Sequence, residues 1–228
     1  MNISERKKIH IPIQKGILKG KKVPLPPSLK GHRNFTSSLI KEALFQHIEN
    51  FYGISFDGRR VYNIGFFDLC AGSGQIGLEA YSRGFNPVHI VEKDRKRFEF
   101  ILENLKDYKV KGSKIIFHQK DFQRMADDIS NLETSAIFID LPYTFWKEEG
   151  KCIHLDLFFK KFLDFLNFKI LNVQKENLKY HKYIFIIQSP KPYRFPEFLL
   201  HQNSFVIIQE VKHYRKHYLN LLKINLTQ

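Results

Sequence analysis

The chain has 228 residues, 43% of them apolar, which suits one large core or a core with a small appendage, and its apolar runs fall far short of the roughly 20 residues that cross a bilayer. With 37 Lys and Arg against 23 Asp and Glu, the net charge of +14 favours polyanionic partners, nucleic acid first among them. Two cysteines, Cys70 and Cys152, offer neither a disulfide framework nor zinc-ligand spacing, and "MNISERKK" is no signal sequence, so a metal-free cytoplasmic protein is expected.

The opening "KKIHIPIQKGILKGKKVPLPP" alternates Ile9, Ile11 and Ile13, then Val23 and Leu25, around Gly16 and Gly20. This is the pattern of a small β-hairpin, which Pro24, Pro26 and Pro27 end. From an N-cap at Thr36 or Ser37, "SSLIKEALFQHIENFYG" sets Leu39, Ile40, Ala43, Leu44, Ile48 and Phe51 on one helical stripe closing at Gly53. Strand and helix then alternate. "VYNIGFFDL", "PVHIVE", "KIIFHQ", "SAIFID" and "KYIFIIQS" read as strands, separated by the helical "QIGLEAYSRG", "DRKRFEFILENLKDY", "DFQRMADDISNL" and "HLDLFFKKFLDFLNFKIL". Such alternation predicts an α/β fold, a parallel sheet with helices on both faces. The tail segments "SFVIIQEVKHY" and "HYLNLLKIN" form an antiparallel pair at one edge. The expected division falls after Gly53: residues 1–53 as a hairpin-and-helix appendage, residues 54–228 as the main domain.

Gly72, Gly74 and Gly77 in "DLCAGSGQIG" satisfy G-x-G-x-x-G on the first strand-to-helix turn, where an open α/β sheet holds its ligand. Glu92, 20 residues beyond Gly72, ends the next strand, where a carboxylate accepts both hydroxyls of a ribose; its bland alternative is an exposed acid. Asp68 precedes the turn. A carboxylate there repels a pyrophosphate and welcomes a cation, so S-adenosylmethionine fits better than a nicotinamide cofactor. Asp68 can also cap the turn's own amides. Ala71, Ser73 and Lys93 complete the expected donor contacts. In "KDF", Asp121 suits the adenine amino group and Phe122 its ring, with a helix N-cap as the other reading of Asp121.

The strand "SAIFID" ends at Asp140, followed by Leu141, Pro142 and Tyr143. An exocyclic amine on a nucleobase is a weak nucleophile because its lone pair is delocalised into the ring. A carboxylate at Asp140 and the Leu141 carbonyl can accept its two N–H groups and aim the lone pair at a methyl carbon, while Pro142 stiffens the loop and Tyr143 stacks on the base. D-x-P-Y alone is equally a turn sequence. Its pairing with the glycine turn is what makes it specific.

These strings resemble the bacterial RsmD family of 16S rRNA (guanine-N2) methyltransferases. "DLCAGSGQIGLEAYSRG" is similar to the family's first motif, "KGILKGKKVPLP" to its opening hairpin, "HRNFTSSLIKEALFQHI" to the segment that carries over Arg33, Thr36, Glu42 and Phe45, and "VEKD" and "DLPY" to its ribose acid and D-P-P-Y/F. The resemblance implies a Rossmann-like class I methyltransferase fold with a seven-stranded, mostly parallel sheet and an antiparallel last strand. It also implies S-adenosylmethionine as donor and a monomer acting on 16S rRNA in an assembled or assembling small subunit. Arg33 and Thr36 are then expected at the RNA, with Lys19, Lys21 and Lys22 on its phosphates. Arg83 is read either as an RNA contact or as a helix C-terminal cation. Asn34, Phe35, Ser38 and Leu141 depart from the family pattern, as does the absence of a glycine after Tyr214. Two other readings stand beside this one: a methyltransferase for an exocyclic amine in another RNA or in DNA, and a non-catalytic RNA-binding assembly factor.

Overall fold

The structure is a computed structural model, described over residues 10–26, 36–108, 111–148, 150–172, 181–199 and 205–226. Strands β1 (His10–Pro12) and β2 (Lys22–Pro24) pair antiparallel with Ile11 opposite Val23, making the expected hairpin. Helix α1 (Ser38–Tyr52) starts where the Ser37 hydroxyl accepts the Ile40 N–H and ends at Gly53, whose φ of 67° admits glycine without a Cβ clash. Its inner face is not quite the expected stripe. Leu39 is 45% exposed, because it lies roughly 140° around the helix from Leu44. Lys41 takes an inner position instead, fully buried.

The seven remaining strands are β3 (Gly65–Leu69), β4 (Val88–Val91), β5 (Ile115–His118), β6 (Thr134–Asp140), β7 (Lys182–Ser189), β8 (Phe205–Tyr214) and β9 (His217–Leu226). They form one sheet in the order β5-β4-β3-β6-β7-β9-β8. The first five are parallel, and β9 runs antiparallel between β7 and β8. This is the mostly parallel, seven-stranded sheet that was expected. The predicted first strand is shorter, since Val61 is exposed and Tyr62 makes only an isolated bridge to Phe85. The helices between strands are α2 (Gln75–Ser82), α3 (Arg95–Leu105), α4 (Ala126–Ser130) and α5 (Ile153–Asn172). The segment predicted as one helix around "DFQRMADDISNL" divides into a 3₁₀ turn, Phe122–Met125, and the short α4.

Alternation along the central strands separates two cores. Phe67, Leu69, Ile137, Ile139, Phe185 and Ile187 face α4 and α5. Phe66, Phe138, Ile184 and Ile186 face the other way, packing with α1, α2 and α3 residues such as Leu44, Leu78 and Ile101. Ile13 and Val23 of the hairpin belong to that second core, which therefore runs across the sequence division at Gly53. No helix among the described residues is long and apolar enough to cross a membrane.

Candidate active site

After β3 the chain builds β4 and β5 on one side, then crosses to β6 on the other. A crevice opens at the carboxyl ends of the strands where this reversal occurs. It is a cleft of about 1140 Å³ whose walls include Thr36, Asp68, Ala71, Gly72, Ser73, Glu92, Lys93, Asp121, Phe122 and the whole of Asp140–Tyr143. One side is the turn between β3 and α2, and the other is the tip of β6.

The turn is shaped by left-handed backbone at Cys70, Gly72 and Gly74, with φ of 66°, 59° and 72°. A Cβ added at Gly72 would meet nothing within 4 Å and would project into open space, so that glycine leaves room for a ligand. Gly74 has a different task. It is not among the residues that line the cleft, and a Cβ there would come within 2.6 Å of Leu105, so its smallness admits α3. Gly77 is likewise a packing position, 2.6 Å from Ile90 by the same test. Glu92 closes the turn from the neighbouring strand, accepting the Gly72 and Asp94 amides, each at 2.9 Å.

Asp68 is 2% exposed and accepts the Gly77 amide at 2.8 Å, so it caps the turn and lines the cleft together. Burial pushes its carboxyl up to about 8 against the pull of the Gly77 N–H, and the nearby Asp140 and Glu92 push the same way. Asp140, partly exposed at the cleft wall, is raised to about 7 by burial. Near neutral pH both carboxyls are poised to hold a proton, and a cation placed beside either one would draw it towards the ionised form. Asp121 differs: despite burial, its bonds to Lys93 (2.9 Å) and to the Gln123 amide keep it below the usual carboxylate range. It thus caps its 3₁₀ turn while facing the cleft. Phe122 is 6% exposed and meets Phe158 edge-on, leaving little of its ring at the wall.

At the tip of β6, Leu141 is buried and Tyr143 is 54% exposed, with the Lys147 ammonium 5.0 Å from its ring centre. Lys19, Lys21 and Lys22 lie exposed on the hairpin, outside the cleft wall. Arg83 requires correction as an RNA contact. It is 4% exposed, bonds Glu79 at 3.1 Å and lies 4.1 Å over the Phe45 ring, so no phosphate at the surface reaches it. Arg33 lies outside the described residues. Several cleft residues escaped the sequence reading: Gln75, Trp146, Gln188, Lys216 from the β8–β9 turn and His217 at the start of β9. A lone polar residue ending the apolar run "YIFIIQ" was the available signal for Gln188. Among the described residues no cluster of three or more metal-ligating side chains occurs.

Residues 11–161 match the family model described as conserved hypothetical protein 95, and the chain belongs to that family. It is 34% identical over 110 residues to a Bacillus subtilis (strain 168) protein named "Putative rRNA methyltransferase YlbH", covering 47% of this chain and 54% of that one. It is 29% identical over 140 residues to "Ribosomal RNA small subunit methyltransferase D" of Buchnera aphidicola subsp. Acyrthosiphon pisum (strain APS), covering 60% and 65%. The chain thus spans between half and two thirds of the length of these two curated relatives. A solved structure described as "Putative methyltransferase yhhF from Escherichia coli" superposes with a TM-score of 0.54 at 17% identity over 96% of this chain and 99% of that one. The fold is that of the class I methyltransferases.

Proposed function

We propose that this chain transfers a methyl group from S-adenosylmethionine to the exocyclic N2 amine of a guanine in small-subunit rRNA. The observation that carries the reading is that Asp140 and the Gly72 turn, on adjacent strands β6 and β3, open into one cleft. The open space at Gly72 and the high-lying carboxyls of Asp68 and Asp140 fit a cationic donor that carries no phosphate. Asp68 and Glu92, with Ala71, Gly72, Ser73, Lys93, Asp121 and Phe122 around them, would hold it, and it would supply an electrophilic methyl carbon.

The chain's own residues do the rest. Asp140 and the Leu141 carbonyl accept the two amine hydrogens and hold the nitrogen's lone pair towards the donor side of the cleft. Once the nitrogen is methylated it must shed a proton, and a carboxylate held near neutrality at Asp140 is placed to take it. Tyr143, exposed at the mouth, offers a stacking face for an extruded base. The net charge of +14, with Lys19, Lys21 and Lys22 exposed on the hairpin, supplies affinity for RNA phosphates without sequence choice. The relatives named for rRNA methylation support this choice of substrate.

The test is transfer of labelled methyl groups to small-subunit particles from a strain lacking its own enzyme. Asp140→Ala should reduce transfer by about 10²- to 10⁴-fold while S-adenosylhomocysteine still raises the thermal midpoint. Donor binding without incorporation into rRNA by the unaltered protein would overturn the substrate assignment. An RNA-binding protein without catalysis would bind particles equally with and without donor.

A further inference from the structure

Asp140 and Leu141 can grip an amine without identifying the ring that bears it. Adenine N6 and guanine N2 both present two N–H groups. Something else in the cleft must distinguish them; Gln75, Trp146 and Gln188 all line it with enclosed polar atoms that lack a partner, and of these Gln188 is the one paired with Asp140 in the sheet.

Gln188 stands directly opposite Asp140 in the parallel pairing of β6 and β7, so the two Cα atoms are neighbours at about the 4.8 Å strand spacing. In-register residues point to the same face, and both line the cleft. Gln188 is 8% exposed, and its amide oxygen is enclosed without any hydrogen-bond partner. Enclosed amide oxygens are nearly always bonded, and one left unpaired beside a ligand cleft calls for an occupant. The backbone on either side is fixed. Asn220, itself fully buried, donates to the Ile187 carbonyl at 3.1 Å and to the Ser189 hydroxyl at 2.7 Å, and accepts the Tyr193 amide at 2.8 Å. The strand tip is clamped while the carboxamide is left open, which is the arrangement of a preorganised reader.

We infer that Gln188 is the specificity-determining residue of the cleft, reading the N1–H and O6 of the target guanine with its amide oxygen and amide nitrogen. This rests on the guanine-N2 reading above. On the guanine edge the groups run N2 amine, N1–H donor, O6 acceptor. With the amine at Asp140, rotation of the carboxamide about its terminal bond sets oxygen against N1–H and nitrogen against O6, two bonds made together. An adenine placed with N6 at Asp140 offers next an N1 acceptor and then a C–H. The carboxamide can make one bond there and leaves its other end unpaired, the kind of mismatch by which polar pockets reject substrates most strongly.

The experiment compares guanine with 2-aminopurine at the methylated position of small-subunit rRNA reconstituted into particles. 2-Aminopurine keeps the C2 amine but lacks both N1–H and O6. The unaltered protein should prefer guanine by about 10- to 100-fold in kcat/KM, and in Gln188→Leu that ratio should fall towards one. Gln188→Glu, which sets an acceptor against O6, should also lose guanine transfer. All variants should keep the thermal shift with S-adenosylhomocysteine, because the donor side of the cleft is untouched. A variant that loses transfer to both bases equally, with the ratio unchanged, shows a structural role and overturns the inference alone. Failure of the unaltered protein to methylate any guanine, with donor bound, overturns the functional reading and this inference with it.

Discussion

Glu79 of α2 and Lys41 of α1 form an ion pair of 3.6 Å in which neither side chain is exposed. The same carboxylate accepts the Gln14 and Lys15 amides of the hairpin at 2.8 and 2.9 Å and the Arg83 guanidinium at 3.1 Å. One acid thus ties the hairpin, α1 and α2 into a single block beside the cleft. Burial draws the Lys41 ammonium below its usual range, and Glu79 opposes that shift.

Removing this carboxylate leaves the Lys41 ammonium buried without its carboxylate and the Arg83 guanidinium with Glu49 alone, 3.8 Å away. Glu79→Ala should therefore cost about 3–5 kcal/mol of stability, read as a lower midpoint in urea. Donor affinity in the fraction that remains folded should be unchanged, since Glu79 does not line the cleft. A loss below about 1 kcal/mol would show that the block does not depend on it.

On the proposed reading, Asp68 makes donor affinity dependent on pH. Its carboxyl, raised to about 8, must ionise to meet a sulfonium or ammonium, so S-adenosylmethionine should bind more tightly as pH rises from about 6 to about 9. S-Adenosylhomocysteine, which lacks the sulfonium, should show a shallower dependence in the same calorimetric titration. Equal slopes for the two would place the sulfonium elsewhere.

The same carboxyl works against the fold. It keeps its proton in the native protein after losing it in the unfolded chain, so its contribution to stability falls as pH rises from about 4 towards about 8. Asp68→Asn retains an acceptor for the Gly77 amide and removes the charge. It should raise stability at pH 7.5 by at least about 1 kcal/mol while weakening donor binding, a trade of stability against function. A destabilised Asp68→Asn protein would contradict this account.

The β8–β9 turn places Lys216 at the cleft wall, with Arg215 exposed beside it at a φ of 54°. If RNA lies across this mouth, the pair contacts phosphate. Lys216→Ala combined with Arg215→Asn, which tolerates the left-handed backbone, should weaken binding to rRNA and reduce the slope of log affinity against log salt by about 2. Thermal shift with S-adenosylhomocysteine should not move. An unchanged salt slope would turn RNA away from this wall.

The α/β alternation, the hairpin and the antiparallel tail were legible in the chain because each depends on local spacing. Periods of two and 3.6, a serine at the start of a helix and a glycine at its end act within a few residues, whatever lies beyond. The glycine turn and Asp140-Leu141-Pro142-Tyr143 were legible for a related reason: both are contiguous strings at strand ends. The short first strand and the exposed Leu39 were not, since pairing and burial are settled by the partner an element meets.

The sequence by itself determined which segments become strands and helices, which acids and glycines stand at their tips, and a net charge that draws polyanions. Tertiary structure alone decided what those residues do. It sent Arg83 into the interior with Glu79, reserved Gly74 for packing against Leu105, and brought Gln188 opposite Asp140 from 48 positions away. The physical reason is that burial, charge neighbours and strand register belong to pairs of elements, and no stretch of chain carries a partner that only folding supplies.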